Sequence, residues 1–139
     1  MAYFDTSVLA ACYVPEANSK RAQEAMSRDR RVVISSLVEA EMASALSRRV
    51  RTGELFAGNA REVLDRFGLH VAAGVFDVLP VGVREFRMAR DWMARFDTPL
   101  KTLDALHLAV AFCNGLSLVT ADASLARCAA TMGVKAEVI

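Results

Sequence analysis

Five short runs rich in β-branched, aromatic and other apolar residues recur along the chain, at residues 1–4, 32–35, 76–79, 117–120 and 136–139. Between them lie stretches with helical periodicity, predicted at 7–13, 19–28, 36–51, 54–72, 83–96, 102–113 and 124–132. Pro15, Gly53, Gly74, Pro80, Gly115 and Gly133 punctuate the boundaries. Strands separated by helices cannot pair as hairpins. They pair through crossovers, which build a parallel sheet with helices over its faces. The expected fold class is therefore α/β, a three-layer α/β/α sandwich around a central parallel sheet of about five strands. With no internal repeat or linker, residues 1–139 read as one domain.

Two helices carry patterns definite enough to assign faces. In 36–51, Val38, Met42, Ala45, Leu46 and Val50 share one apolar side. In 83–96, Val83, Phe86, Ala89, Met93 and Phe96 are expected inward, with Arg84, Arg87 and Arg95 mostly opposite. The helix at 102–113 is apolar nearly all round, which predicts burial on several sides.

Charge and cysteine content narrow the class of function. The formal net charge is +1, so nucleic acid would have to be met by a local basic patch. Arg28, Arg30 and Arg31 cluster before the second strand, and Arg48, Arg49 and Arg51 end the third helix. These six are candidates for an RNA backbone, although solvated helix faces explain each of them equally well. Cys12, Cys113 and Cys128 form no C-x-x-C pair and read as reduced core thiols. Asp5 interrupts the only N-terminal apolar run, and no apolar segment approaches the ~20 residues of a membrane span. A soluble cytoplasmic protein is expected.

Four acidic positions stand out. Asp5 ends the first strand and Asp122 follows the fourth, so in a parallel sheet both reach the edge where open α/β sheets bind ligands. Either could simply cap the helix that follows it, but two on one edge make capping a less complete account. Asp104 opens the apolar helix at 102–113. The helix dipole favours a carboxylate there by about 0.3–1 kcal/mol, too little to offset burial of an unpaired charge, which costs several kcal/mol. Asp104 is thus expected to need a cation, a basic partner or a raised pKa. Glu39 and Glu41 both fall early in the third helix, and helical geometry does not separate them. His107, one turn after Asp104, reads as a core histidine bonded to a neighbour. His70 is the only other histidine, so no zinc site is indicated. G-x-S-x-G, Walker A and G-x-G-x-x-G motifs are absent, which removes support for triad hydrolases, P-loop enzymes and dinucleotide enzymes. All-oxygen clusters suit Mg²⁺ or Mn²⁺ and in-line phosphodiester hydrolysis.

Tyr3 to Leu9, Ile34 to Leu46, Leu103 to Ala109, Leu118 to Asp122 and the Arg51-Thr52-Gly53-Glu54-Leu55 turn, in this order, resemble the PIN-domain family. Within it they resemble the small VapC-type toxins of VapBC toxin–antitoxin pairs, over essentially the whole chain. The resemblance implies a PIN-like sandwich and selects Glu41 over Glu39. It further implies a Mg²⁺-dependent endoribonuclease with Asp5, Glu41, Asp104 and Asp122 as the acidic site and Thr120 and Thr6 in support, leaving 5′-phosphate and 3′-hydroxyl ends. A homodimer inhibited by a cognate VapB-type antitoxin is implied as well. A haloacid-dehalogenase-like phosphatase would need an acid where Ser7 stands, and a receiver domain would need an acidic pair near the N-terminus. An RNA-processing PIN nuclease and a catalytically inactive PIN-like binding module are the remaining alternatives.

Overall fold

The computed structural model describes residues 1–139. Its elements run β1 (Ala2–Phe4), α1 (Thr6–Tyr13), α2 (Ser19–Arg28), β2 (Val32–Ser35), α3 (Ser36–Arg51), α4 (Ala57–Ala72), β3 (Phe76–Leu79), α5 (Val83–Met93), α6 (Thr102–Cys113), β4 (Ser117–Thr120), α7 (Ala123–Thr131) and β5 (Ala136–Val138). The five strands form one parallel sheet in the order β3-β2-β1-β4-β5.

Side chains alternate across the strands, and the alternation divides the core in two. Tyr3, Val33 and Leu118 point to one face, where Ala89 and Trp92 of α5, Leu106 and Val110 of α6 and Leu125 of α7 cover them. Phe4, Ile34 and Val119 point to the other, against Val8 and Leu9 of α1, Ala22 of α2, Val38 and Met42 of α3 and Phe67 of α4. The result is the expected three-layer sandwich. No helix is long and apolar enough to cross a membrane.

The register of the central strands brings two chain exits together. Phe4 lies beside Val119 and Tyr3 beside Val33. Asp5 therefore emerges next to Thr120, at the C-terminal edge of adjacent strands. Helix α6 leads into β4 and so runs antiparallel to the sheet, which brings its first turn to that same edge.

Two predicted boundaries shift by three residues. The helix expected from residue 54 begins at Ala57, because the backbone carbonyl of Arg49 accepts from Glu54 and Leu55 and holds them in the turn. The helix expected to reach residue 96 ends at Met93, and Phe96 takes a positive φ of 58°. The inward face of α5 also differs from the expectation. Glu85, Ala89 and Trp92 are buried, with Met88 and Met93 packed beside them, whereas Val83, Phe86 and Phe96 are exposed. Burying the large Trp92 ring sets the rotation. Glu85 is accommodated because its carboxylate accepts from the Gly82 N–H at 2.9 Å and from Arg84 at 2.8 Å.

Candidate active site

Asp5 is buried. Its Oδ1 accepts from the backbone N–H groups of Ser7 and Val8, which caps α1, and from the Ser7 hydroxyl at 2.5 Å. Its Oδ2 accepts from the Thr120 hydroxyl, also at 2.5 Å. Burial pushes the Asp5 carboxyl above its ordinary value, and the hydroxyls of Ser7 and Thr120 oppose that rise. Asp5 thus combines both roles that its position allowed, a helix cap and a carboxylate aimed along the sheet edge. Ser7 Oγ also accepts from the Ala121 N–H at 2.9 Å, which ties the exit of β1 to the exit of β4.

Asp122 repeats the arrangement at α7. Its Oδ1 accepts from Ser124 and Leu125 N–H groups, and its Oδ2 accepts nothing within the chain. Asp104 accepts no hydrogen bond and is only half-buried, because the first turn of α6 is more exposed than its apolar sequence suggested. The expected burial penalty is correspondingly smaller, but the raised pKa is present. Burial comes first among its causes, followed by the negative charges of Asp122, Asp5 and Glu41, with His107 opposing. Asp104 is therefore within electrostatic reach of the other three candidate carboxylates.

The structure distinguishes the two glutamates that helical geometry left equivalent. Glu39 is exposed. Glu41 Oε1 accepts from the Thr6 hydroxyl at 2.9 Å and from Nε2 of His107, while Oε2 accepts nothing. Burial alone would raise the Glu41 carboxyl, but the hydrogen bond and charge of His107 and the Thr6 hydroxyl outweigh it and hold the group below its ordinary value.

His107 is a buried histidine bonded to its neighbours, as its place on α6 suggested, and one of those neighbours is Glu41. Its other ring nitrogen meets the Tyr3 hydroxyl. With both nitrogens engaged and 3% exposure, it has no free atom with which to act on a substrate. Ser7, Ser35 and Tyr3 were not singled out in the sequence as site residues. The available signal was a hydroxyl residue at the ends of β2 and β4 and just after β1.

The six candidate arginines are not at this edge as a group. Arg28, Arg30 and Arg31 precede β2 and so stand at the opposite end of the sheet, where Arg28 pairs with Glu137 and Arg31 with Asp77. On α3, Arg49 pairs with Glu16 and Arg51 bonds Ser47. Arg48 is exposed without a carboxylate partner and lies two turns along the same helix face from Glu41. Two arginines outside those six share a cleft. Arg95 and Arg127 line a cleft of about 280 Å³ with Thr98 and Ser124, beside the Asp122 cap. A larger cleft of about 760 Å³ between α2 and β5 contains none of the four carboxylates.

No three His, Cys, Asp or Glu side chains are gathered closely enough to enclose a metal ion. Mg²⁺ keeps several waters and is bound through one or two carboxylates plus substrate phosphates, not in a closed protein cage. The all-oxygen donor set and the unengaged oxygens of Asp104, Asp122 and Glu41 fit such an open site.

The PIN domain family model matches residues 2–130. Among solved structures, the VapC20 sarcin-ricin loop cleaving toxin of Mycobacterium tuberculosis is 21% identical, with a TM-score of 0.72 over 92% of this chain and 95% of that one. VapBC2 of Rickettsia felis, bound to a DNA fragment from its promoter, is 16% identical, with a TM-score of 0.69 over 99% and 98%. PAE2754 of Pyrobaculum aerophilum is 25% identical, with a TM-score of 0.66 over 98% and 83%. Comparison with curated proteins returns no match.

Proposed function

The chain belongs to the PIN domain family, and from that premise we propose that it is a Mg²⁺-dependent endoribonuclease, the toxin of a type II toxin–antitoxin pair. One observation carries the reading. Asp104 is an unpaired carboxyl raised by burial and by the charges of three other acids, which come from three different elements. Carboxylates that face one another across a sheet edge repel, and sites of that kind are built for function more often than for stability.

When bound, a divalent cation supplies Lewis acidity toward water and charge neutralisation at a phosphodiester. Asp104, Asp122 through Oδ2, Glu41 through Oε2 and Asp5 through its remaining capacity on Oδ2 are the groups that would hold it. Mn²⁺ would be accepted by the same oxygens. Thr120 and Ser7 hold Asp5, and Thr6 holds Glu41. His107 has both ring nitrogens engaged and the free carboxylate oxygens are the candidate metal ligands, so the chain's own contribution is to orient carboxylates and fix the position of the scissile phosphate.

RNA is favoured as substrate by the likeness to a structure described as a sarcin-ricin loop cleaving toxin, and an antitoxin partner by the likeness to a VapBC pair. A single PIN domain over residues 1–139, a homodimer, inhibition by a VapB-type antitoxin and a cytoplasmic location complete the proposal. The deciding experiment incubates the purified chain with total RNA and with tRNA, in Mg²⁺ or in EDTA, beside Asp5→Asn. Cleavage with 5′-phosphate ends that needs Mg²⁺ and Asp5 is the expected outcome. Cleavage indifferent to both would overturn the metal reading. Absence of any cleavage by folded, Mg²⁺-loaded protein would favour a binding module.

A further inference from the structure

Beneath the acidic edge lies a file of buried polar groups that the chemistry above does not use. Tyr3 and Ser35 are wholly buried and His107 nearly so. Ser35 Oγ lies 2.8 Å from the Tyr3 hydroxyl, which lies 2.6 Å from Nδ1 of His107, and Nε2 of His107 meets Glu41 Oε1. The register explains the assembly. Tyr3 pairs with Val33, so Ser35, two residues on, shares its face, and α6 lays His107 over both. Ser35 occupies the N-cap position of α3 but makes no side-chain cap bond. Its hydroxyl is committed to Tyr3 instead.

The direction of each bond follows from the carboxylate. An ionised carboxylate only accepts, so Nε2 bears the ring proton. In the neutral ring Nδ1 is then the acceptor, the Tyr3 hydroxyl donates to it, and the Tyr3 oxygen accepts from Ser35. Around His107 the α6 positions Ala105, Leu106, Leu108 and Ala109 are all apolar and buried. The one polar side chain in that run reaches one oxygen of one acid. Thr6 takes the same oxygen, so every protein donor is on Oε1 and none is on Oε2.

We infer that Ser35, Tyr3 and His107 form a positioning strut that locks Glu41 with Oε1 turned into the protein and Oε2 turned outward to a divalent cation. The inference rests on the metal reading above. A glutamate side chain has three rotatable bonds, and a half-buried one left free would spread over several rotamers. The strut removes that freedom before the cation arrives, as hydrogen bonds behind metal ligands do generally.

The test titrates metal-free full-length protein with Mn²⁺ by electron paramagnetic resonance, with circular dichroism to confirm folding. Glu41→Gln and His107→Leu are each expected to weaken Mn²⁺ binding by about 10- to 100-fold, and Tyr3→Phe by about 10-fold. His107→Gln, whose amide N–H can occupy the place of Nε2–H, is expected to regain most of the loss. In the Glu41→Gln background His107→Leu should add nothing further. Nitrogen NMR of the metal-free protein should show His107 protonated at Nε2, with the Nδ1 resonance displaced by Tyr3→Phe. Folded His107→Leu that binds Mn²⁺ within about twofold of wild type, while Glu41→Gln does not, overturns the strut alone. If His107→Leu does not fold, unchanged affinity in Tyr3→Phe overturns it. A neutral ring with its proton on Nδ1 instead of Nε2 does so too. Glu41→Gln with wild-type affinity removes Glu41 from the metal site and overturns the strut with it, and wild type that binds no Mn²⁺ overturns the metal reading itself.

Discussion

The Thr120 hydroxyl donates to Asp5 Oδ2 at 2.5 Å across 115 residues of sequence. The parallel pairing of β1 with β4 makes this contact, since Phe4 beside Val119 places Asp5 beside Thr120. Thr120 also accepts from the Asp122 N–H at 3.0 Å, so one hydroxyl joins two of the four acids. Thr120→Val keeps the shape and removes the hydroxyl. A buried charged acceptor that loses such a donor costs about 1.5–3 kcal/mol. The variant should unfold at lower urea with an unchanged m-value, and its RNA cleavage should fall by about 10- to 100-fold. Cleavage at the wild-type rate would show that Thr120 supports the fold and not the site.

The acidic edge should store instability that neutralisation releases. Asp5 and Asp104 both have raised carboxyl pKa values, burial being the first cause in each. A raised folded-state pKa means that the folded protein holds the proton more tightly than the unfolded chain. The contribution of these groups to stability is therefore most favourable below the unfolded pKa near ~4, and it is lost as pH rises through the folded value. The metal-free protein carries that penalty once the pH is above the folded values. Asp104→Asn removes a charge facing Asp122, Asp5 and Glu41 and breaks no hydrogen bond, whereas Asp5→Asn would lose the acceptor for the Thr120 hydroxyl. Asp104→Asn should melt above the metal-free wild type at pH 7 by roughly 3–5 °C in scanning calorimetry, if relief after solvent screening amounts to about 1 kcal/mol. It should lose RNA cleavage, and its advantage should shrink toward pH 4. Added Mg²⁺ should raise the wild-type melting temperature and close the gap.

Much of this arrangement was legible in the chain. Alternating strand and helix patterns specify a parallel sheet, and a parallel sheet puts the residues after β1 and β4 on one edge. The same logic places Arg28, Arg30 and Arg31, which precede β2, on the other edge, so their separation from Asp5 follows from topology. Two features were not legible for physical reasons. Asp104 looked deeply buried because a helical wheel records which face a residue occupies but not how far the first turn extends past its neighbours. The strut behind Glu41 joins β1, β2, α3 and α6, and contacts across 104 residues leave no local periodicity to read. The α5 face was misassigned because Val83, Phe86, Ala89, Met93 and Phe96 form one plausible apolar stripe and Met88, Ala89 and Trp92 another. Only packing against α6 chooses between them.

The path of RNA past the site should run by the Arg95 and Arg127 cleft and not by the cluster before β2. Ser124 lines that cleft and donates its N–H to Asp122, so a phosphate there would be close to the acids. Arg127 has no carboxylate partner within 4.0 Å, whereas Arg31 is held by Asp77 at 2.5 Å. Loss of one phosphate contact lowers the slope of log affinity against log salt by about one. Arg127→Ala should show that change in fluorescence anisotropy with a non-cleavable RNA and an Asp5→Asn background. Arg31→Ala should leave both affinity and slope unchanged. The opposite ranking would move the RNA to the far edge of the sheet.

Phe96 supplies a prediction independent of catalysis. It follows α5 with a φ of 58° and is 93% exposed. A non-glycine residue in the left-handed region costs roughly 1–2 kcal/mol, and an exposed ring contributes almost no packing to offset it. Glycine takes this conformation without strain but adds entropy to the unfolded chain, which cancels part of the gain. Phe96→Gly should therefore stabilise the chain by about 0.5–1 kcal/mol, seen as a higher urea midpoint at constant m-value. A pure strain effect would also appear with Phe96→Asn, at smaller size, because asparagine tolerates the same region. If both substitutions destabilise instead, the ring is buried against something that free monomer lacks. Sedimentation equilibrium of wild type and variant would then show a self-association that Phe96→Gly weakens.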